Sequence, residues 1–394
     1  MKKTIKLALV AALALGATSA FATNGSVLIG TGAKARGMGG VGIGMSHGAE
    51  SGLSNAALIT SVKSTEVSFG GTIFMPNVKS TLGAEPTESS AANMSVIPEV
   101  SIASKVADNF YVGIGMWGTA GMGVDYRDVN HGALARNNYN MVTNLQLMQF
   151  GVPLAYKMDD LSLSVTPVLQ YGSLDIDYNS SSSRHAGVSQ DLAFGYNLGV
   201  AYEISGITIG AIYKSEIEMD YKGQLTSAGA DFGLTLSDKL STPAEFGLGV
   251  SYAFSGNTVA LDYKQIKWAS AAGYEDFGWE DQTVISVGYE YAADTWAARV
   301  GYNYAASPIS EQDVTQAGGY SKNVLNLLGF PGIVESHITL GGTYNFSEQT
   351  SVDLAYVFAT EKTEKFAGRD LGGPFDIETK HSQSSVSVAL NYTF

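Results

Sequence analysis

Ser385-Val386-Ser387-Val388-Ala389-Leu390-Asn391-Tyr392-Thr393-Phe394 alternates without interruption, with small or polar residues at odd positions and apolar ones at even positions. A period of two is that of a β-strand with one apolar face. Val352, Leu354, Tyr356 and Phe358 alternate in the same way with Ser351, Asp353 and Ala355. Ile338, Leu340, Tyr344 and Phe346 do so with His337, Thr339, Thr343 and Asn345. Over 207–221 the pattern puts Ile207, Ile209, Tyr213, Ile217, Met219 and Tyr221 on one face. Thr208, Lys214, Glu216, Glu218 and Asp220 take the other. Aromatics such as Tyr252, Phe254, Tyr289, Tyr291, Tyr344, Phe346, Tyr392 and Phe394 gather at strand ends. That is how a membrane-interface girdle is dressed.

Working outward from these segments gives strands over 64–76, 94–106, 110–123, 143–157, 161–177, 192–204, 207–222, 242–254, 258–268, 282–292, 295–305, 336–346, 350–361 and 382–394. Tight links such as Asp159-Asp160, Ser205-Gly206 and Ser255-Gly256-Asn257 alternate with long polar stretches at 178–191, 223–241, 306–335 and 362–381. Short turns at one end and long loops at the other are the layout of an outer-membrane barrel. A soluble sandwich has no reason to alternate its connections. The expected fold is all-β, a 14-stranded antiparallel transmembrane β-barrel.

The composition agrees. The 394 residues carry 15% charged side chains, 46 glycines and no cysteine, which excludes a disulfide scaffold and a cysteine nucleophile. A net charge of −14 argues against a nucleic-acid partner, which requires a basic face. Lys2, Lys3 and Lys6, the apolar run Ile5 to Leu15 and Ala20-Phe21-Ala22 read as a secretory signal over 1–22. No later apolar run reaches the roughly 20 residues of a membrane helix. Residues 23–62 are rich in glycine and small residues and fit no strand pattern. They are expected to form a hatch inside the barrel, whose wall is 63–394.

The opening of the mature segment is the most specific motif: Thr23-Asn24-Gly25, then Ile29-Gly30-Thr31-Gly32-Ala33-Lys34-Ala35-Arg36-Gly37-Met38-Gly39-Gly40, closing with Ser54-Asn55-Ala56-Ala57-Leu58. It resembles the start of the FadL family of outer-membrane transporters for long-chain fatty acids and other hydrophobic compounds. Gly118-Thr119-Ala120-Gly121-Met122-Gly123, Tyr213-Lys214-Ser215-Glu216, Thr242-Pro243-Ala244-Glu245 and the terminal Asn391-Tyr392-Thr393-Phe394 extend the resemblance along the chain. It implies a fourteen-strand barrel closed by an N-terminal hatch, an apolar groove among the outer loops and a pocket beside the hatch. It also implies a kink in the third strand that opens the wall sideways, with passive, ligand-gated lateral diffusion. Where the family has Asn-Pro-Ala, this chain has Asn55-Ala56-Ala57. Without the proline a more flexible hatch turn is expected.

The candidate site follows. Gly115, Gly118, Gly121 and Gly123 interrupt the third strand. Glycine marks bulges and bends in strands, so these positions are assigned to the lateral opening. Val27, Leu28 and Ile29 on the hatch are assigned to ligand contact, with Leu134, Met141 and Val142 in the loop after the glycine-rich strand. By alternation Glu99, Lys214, Glu216, Glu218, Glu245, Asp262, Lys264, Glu290, Arg299 and Asp353 point inward. Lys214 and Arg299, with Lys34 and Arg36 on the hatch, are the rival bases for a carboxylate head group. Val324, Leu325, Leu327, Leu328, Phe330 and Ile333 either line an outer groove or close the barrel top.

Gly30 to Gly44 lacks the strand–helix context of a nucleotide loop. His47, His131, His185, His337 and His381 show no ligand spacing, and most fall in expected loops. No metal, cofactor or catalytic group is expected, and the chain is read as a transporter rather than an enzyme. Partners are a hydrophobic small molecule, outer-membrane lipid and lipopolysaccharide, and the barrel-assembly machinery, for which Phe394 is the expected signal. Long-chain fatty acids are the first substrate reading. A monoaromatic-hydrocarbon channel, a general diffusion porin, an outer-membrane hydrolase and a surface adhesin are the alternatives.

Overall fold

The computed structural model describes residues 23–129, 141–179, 183–185, 187–370 and 373–394. Fourteen antiparallel strands form the wall. They are β1 Thr65–Leu82, β2 Ser95–Lys105, β3 Phe110–Asp125, β4 in two pieces Val142–Gly151 and Leu154–Met158, β5 Leu161–Asn179, β6 Ser189–Ile204 and β7 Ile207–Lys214. The second half comprises β8 Glu245–Phe254, β9 Asn257–Ile266, β10 Gln282–Ala292, β11 Trp296–Ala305, β12 Ser336–Asn345, β13 Thr350–Asp370 and β14 Gly373–Thr393. Neighbours in sequence pair throughout, and β14 pairs with β1 from Thr393↔Glu66 to Ile377↔Leu82 to close the cylinder. Closure leaves no edge for lipid to meet.

Alternation decides the two faces. On β8, Phe246, Leu248, Val250, Tyr252 and Phe254 are exposed, while Glu245 and Ser251 are buried. A charge on the outward face costs about 2–4 kcal/mol at the bilayer midplane, and the outward faces of β7, β8, β9 and β10 carry none. Turn-end aromatics pair as expected of a girdle, with Tyr344–Phe346 rings 5.2 Å apart and Tyr392–Phe394 rings 4.7 Å apart.

Several boundaries differ from expectation. β7 stops at Lys214 instead of 222. Beyond it the chain bends over the barrel mouth, so Ile217, Met219 and Tyr221 are buried instead of facing lipid. Glu216 and Glu218 are exposed loop residues rather than lumen groups. β13 and β14 run about ten residues further than the apolar alternation, because their outer halves alternate in charge rather than hydropathy. The fourth strand is broken at Val152-Pro153. His381, in an expected loop, is a buried wall residue, as is His337 of the expected strand.

The long-loop end is closed. A helix Gly319–Val324 continues as a wider turn Leu325–Gly329. It buries Leu327, Leu328, Phe330 and Ile333 in one cluster with Trp268, Tyr274, Phe277 and Trp279. Its last carbonyls are capped by wall side chains: Thr143 Oγ1 donates to Gly329 O (2.5 Å) and Thr379 Oγ1 to Leu327 O (2.9 Å). His381 Nδ1 lies 2.8 Å from Pro331 O. Of the two roles open to these apolar residues, the structure shows the closing one. Met141, assigned to ligand contact, is buried in the same cluster, and Val142 is buried at the start of β4. Leu134 and His131 lie outside the described residues.

Residues 24–62 bond to inward-facing groups from around the whole wall, including Glu99, Val200, Asp262, Thr339 and Asp353. They contain a hairpin of Thr23–Asn24 and Val27–Leu28, the short helix α1 Ala33–Gly37 and helical turns over Gly48–Ser61. Small residues allow this close approach. A Cβ on Gly37 would sit 2.8 Å from Gly341 Cα of β12.

Candidate functional site: a gap in the wall and the cavity behind it

The β2–β3 ladder runs from Lys105↔Tyr111 to Glu99↔Trp117 and stops. β2 nevertheless continues to Ser95 along β1, and β3 to Asp125 along β4. Two local features separate them. Pro98 follows directly on the last paired residue of β2, and proline without an N–H belongs on strand edges. On β3 the register with β4 slips between Gly118 and Ala120, leaving Thr119 as a bulge. Bulges bend the strand that carries them. A Cβ on Gly118 would lie 2.5 Å from Cγ2 of Ile97, an inward side chain of β2. The upper half of β3 has therefore dropped toward the lumen past its neighbour.

The freed edge of β3 takes up the N-terminal hairpin. Val27 pairs with Ala120, and Gly121 N donates to Ser26 O at 3.1 Å. Leu28 packs with Phe74 and Ile97 in a small buried cluster that fills the breach. Above it, Ala91 N donates to Asp125 O (2.8 Å) and Asp125 N to Ser90 Oγ (2.9 Å), so the gap is bounded at both ends.

Behind the gap lies a cavity of about 60 Å³. Val27, Leu28, Ile29, Ile43, Leu53, Ile212 and Ile217 supply its apolar walls, and Thr119 and Ala120 border the gap. Its polar groups are Gln149, Asn197, Lys214, Glu245 and Lys264. Lys214 Nζ lies 3.4 Å from Glu245 Oε2. Lys264 is buried, and among the described residues it has no ion-pair partner within 4.0 Å. Two amines thus face one carboxylate in a chamber whose other walls are apolar and uncharged polar side chains.

The other expected bases sit elsewhere. Arg299 is held in the wall by Glu290 (2.6 Å) and Thr343 (2.8 Å), with Asp353 at 3.7 Å. Lys34 lies 3.7 Å from Asp353 and borders a polar hollow of about 450 Å³ at the short-turn end. Burial opposes its charge, yet Asp353, Glu50 and Glu66 outweigh that and hold its pKa above the ordinary value. Arg36 is fully buried 3.8 Å from Glu99, and burial pulls its pKa down against that carboxylate. None of the three lines the cavity. Val27, Leu28, Ile29 and Lys214 do.

The Asn55-Ala56-Ala57 turn is ordered by its asparagine. Asn55 Oδ1 accepts from Ala57 N at 3.1 Å and caps the turn Ala56–Ser61. Asn55 Nδ2 donates to Ile43 O (2.8 Å) and Val200 O (3.0 Å). Ala56 occupies the first helical position, where proline is tolerated but not required. The expected looseness from losing proline is thus offset by three bonds from one side chain.

Sequence reading missed Pro98, the Thr119 bulge and the clamp made by Asp262. Its carboxylate accepts from Gly42 N (2.7 Å), Ile43 N (2.9 Å) and Gly44 N (3.4 Å). Pro98 inside an alternating run was the available signal. Gly115 and Gly123 do not border the gap directly: Gly115 faces the Trp117 ring, and Gly123 packs on Thr143 of β4. Among the described residues no group of three or more His, Asp or Glu is placed to hold a metal.

Comparison with known proteins agrees with this geometry. Residues 8–394 match the family described as outer membrane protein transport protein (OMPP1/FadL/TodX). A long-chain fatty acid transport protein of Escherichia coli O6:H1 is 22% identical, covering 86% of this chain and 87% of its own. A 47 kDa outer membrane protein of Pasteurella multocida is 24% identical with the same coverage. The crystal structure of a Pseudomonas aeruginosa FadL homologue superposes with a TM-score of 0.72 at 16% identity, over 93% of this chain and 99% of that one. The Pseudomonas putida toluene transporter TodX gives 0.68 at 17% identity, over 93% and 99%. The closed fourteen-strand wall and a family match over nearly the whole length establish that this chain belongs to the OMPP1/FadL/TodX family of outer-membrane transport proteins and is integral to that membrane.

Proposed function

We propose that the protein carries long-chain fatty acids inward by passive, ligand-gated lateral diffusion, with residues 23–62 as the hatch and 63–394 as the barrel. The observation that carries the reading is the apolar cavity with Lys214 and Lys264 against Glu245, directly behind the gap between β2 and β3. An acyl chain suits its walls, and a carboxylate suits its excess positive charge. At about 60 Å³ the closed cavity is far below the roughly 300–1,000 Å³ of ligand pockets. A ligand therefore makes room by displacing Val27 to Thr31, the same stretch that fills the gap. In this way occupancy opens the exit.

Straight passage to the short-turn end is opposed. There the ligand would meet Glu50, Glu66, Glu290 and Asp353 against Lys34 and Arg299, an acidic excess that repels a carboxylate. The names of the curated relatives, long-chain fatty acid transport proteins, support the same substrate. A second reading, uptake of monoaromatic hydrocarbons, is favoured by the toluene transporters among the structural neighbours. A general diffusion porin fits poorly with a lumen occupied by residues 24–62. The partners of this reading are the apolar ligand and the outer-membrane lipid that receives it.

Binding of oleate to the refolded protein in detergent, with toluene as competitor, tests the proposal. Replacing Lys214 and Lys264 together with Met should weaken oleate about tenfold, roughly 1.4 kcal/mol, and leave toluene unchanged. Toluene that binds and displaces oleate, with the variant unaffected, would transfer the site to the hydrocarbon reading.

A further inference from the structure

The wall gap has a defined lower lip, and its construction falls on one side chain. Glu99↔Trp117 is the last rung between β2 and β3. Trp117 points inward and is 1% exposed. Its Nε1 donates to Ser101 Oγ at 2.8 Å, crossing from β3 to β2 below that rung. The indole lies in a niche lined largely by glycines. A Cβ on Gly151 of β4 would sit 2.9 Å from its ring, and one on Gly52 of the N-terminal segment 3.4 Å. Gly115, two rungs below on β3, is covered by the same ring. One indole thus spans β2, β3 and β4 and touches the segment that fills the gap.

Within the lumen this panel is otherwise tied at Glu99, which accepts from Gly32 N at 3.0 Å and lies 3.8 Å from Arg36. On the lipid side it is bare: a groove of about 520 Å³ runs between Val100, Ile114, Met116, Phe150 and Val152. Below the panel β4 is interrupted at Val152-Pro153, where Gly113 N bonds instead to Pro153 O at 2.7 Å. A ladder with glycines at 113, 115 and 151 and a broken outer neighbour has little to stop it unzipping. Each pair of rungs lost would lengthen the gap by about 7 Å.

We infer that Trp117, through its bond to Ser101, is a positioning residue that fixes the lower lip of the gap and so limits the cross-section of ligand that passes; this rests on the lateral-exit reading above. The bond holds the rungs from Glu99 to Ser101 shut while the bulge at Thr119 lets everything above them part. The residue acts on selectivity without contacting the ligand's head group.

The test uses the full chain in proteoliposomes and two variants, Trp117→Phe, which keeps most of the ring, and Ser101→Ala, which removes only the acceptor. Uptake of a linear sixteen-carbon acid is compared with uptake of an acid ending in a pyrene. Both variants should raise the pyrene-to-linear ratio about fivefold, the shift one net hydrogen bond supports. Amide exchange at Glu99 to Ser101 should quicken in step. A general loss of stability would lower both uptakes and leave the ratio alone. An unchanged ratio in Ser101→Ala, with normal linear uptake, overturns the inference. A disulfide between Ile97→Cys and Gly118→Cys separates this failure from that of the parent reading. If the oxidised tether leaves linear uptake intact, lateral exit itself is wrong. If the tether abolishes uptake while the ratio stays unmoved, only the role of Trp117 falls.

Discussion

Two stretches of the N-terminal segment meet the wall in opposite ways. Ser26 to Leu28 touch β3 through one bridged pair and one backbone bond, Gly121 N to Ser26 O. Gly42 to Gly44 are sewn into β8 and β9. Asp262 takes three of their N–H groups, Ser251 Oγ donates to Gly44 O at 2.7 Å, and Asn55 donates to Ile43 O. The backbones touch there: a Cβ on Gly44 would lie 2.5 Å from the Gly249 carbonyl carbon. Hydrogen bonds to a charged group contribute about 1.5–3 kcal/mol each, against about 1 for a neutral one. The difference teaches where movement is cheap. A ligand can lift the hairpin from the gap without loosening the loop that keeps the segment in the barrel.

The sharpest way to break this contrast is to fasten the weak end. A disulfide between Val27→Cys and Ala120→Cys joins residues already paired across the antiparallel bridge, and the chain has no other cysteine to interfere. Fatty-acid uptake should fall to background when oxidised and return with reductant. Full uptake in the oxidised form would show that the hairpin need not move.

Loosening the strong end should have a smaller effect. Asp262→Ala leaves three buried N–H groups without an acceptor, a loss of at least about 3 kcal/mol to the local structure. Amide exchange at Gly42 to Gly44 should accelerate by two orders of magnitude or more, with Ser26 to Leu28 little changed. Asp262→Asn, which keeps one acceptor, should fall between. Equal acceleration at both stretches would mean that the segment moves as one body and that the contrast is false.

The smallest effect is on pH. Burial pushes Glu50 up to about 7, with Lys34 and Ser68 only partly opposing. Between its ordinary 4.5 and that value the folded chain keeps a proton the unfolded chain has lost, so stability falls as pH rises through this window. Burial pulls His47 down to about 4, with Val41 O 2.7 Å from its Nε2. Here the unfolded chain holds the extra proton, and stability falls as pH drops from 6.5 through 4. The two slopes cancel between about pH 4.5 and 6.5. Thermal melts of Glu50→Gln should therefore show a single rise with pH up to 6.5. A profile that still declines from pH 6.5 to 7 in that variant would remove Glu50 as the cause.

The wall was legible in the sequence because its two faces obey one rule over ten-residue stretches and its turns alternate in length. The rule fails where the membrane ends. Lys362 to Lys365 and Asp376 to Lys380 stay paired in β13 and β14, yet their charges read as loop. Past Lys214 the same period continues into a segment that forms no strand and pairs through isolated bridges at Ile217↔Thr242 and Asp220↔Lys239. Of the gap, the β3 side was visible through Gly118, while the β2 side at Pro98 was not weighed. Alternation tells which way a base points but not its height along the axis. That is why Lys214, Arg299, Lys34 and Arg36 stood as equal rivals in the sequence, whereas in the structure only Lys214 of the four lines the cavity.

The apolar closure at the outer mouth carries a consequence for the cell as a whole. A fourteen-strand cylinder left open would admit small hydrophilic poisons along with nutrients. Here Leu327, Leu328, Phe330 and Ile333 seal the top against Trp268 and Trp279, with their carbonyls tied to the wall. Many copies can then stand in one outer membrane without eroding it as a barrier to bile salts or polar antibiotics.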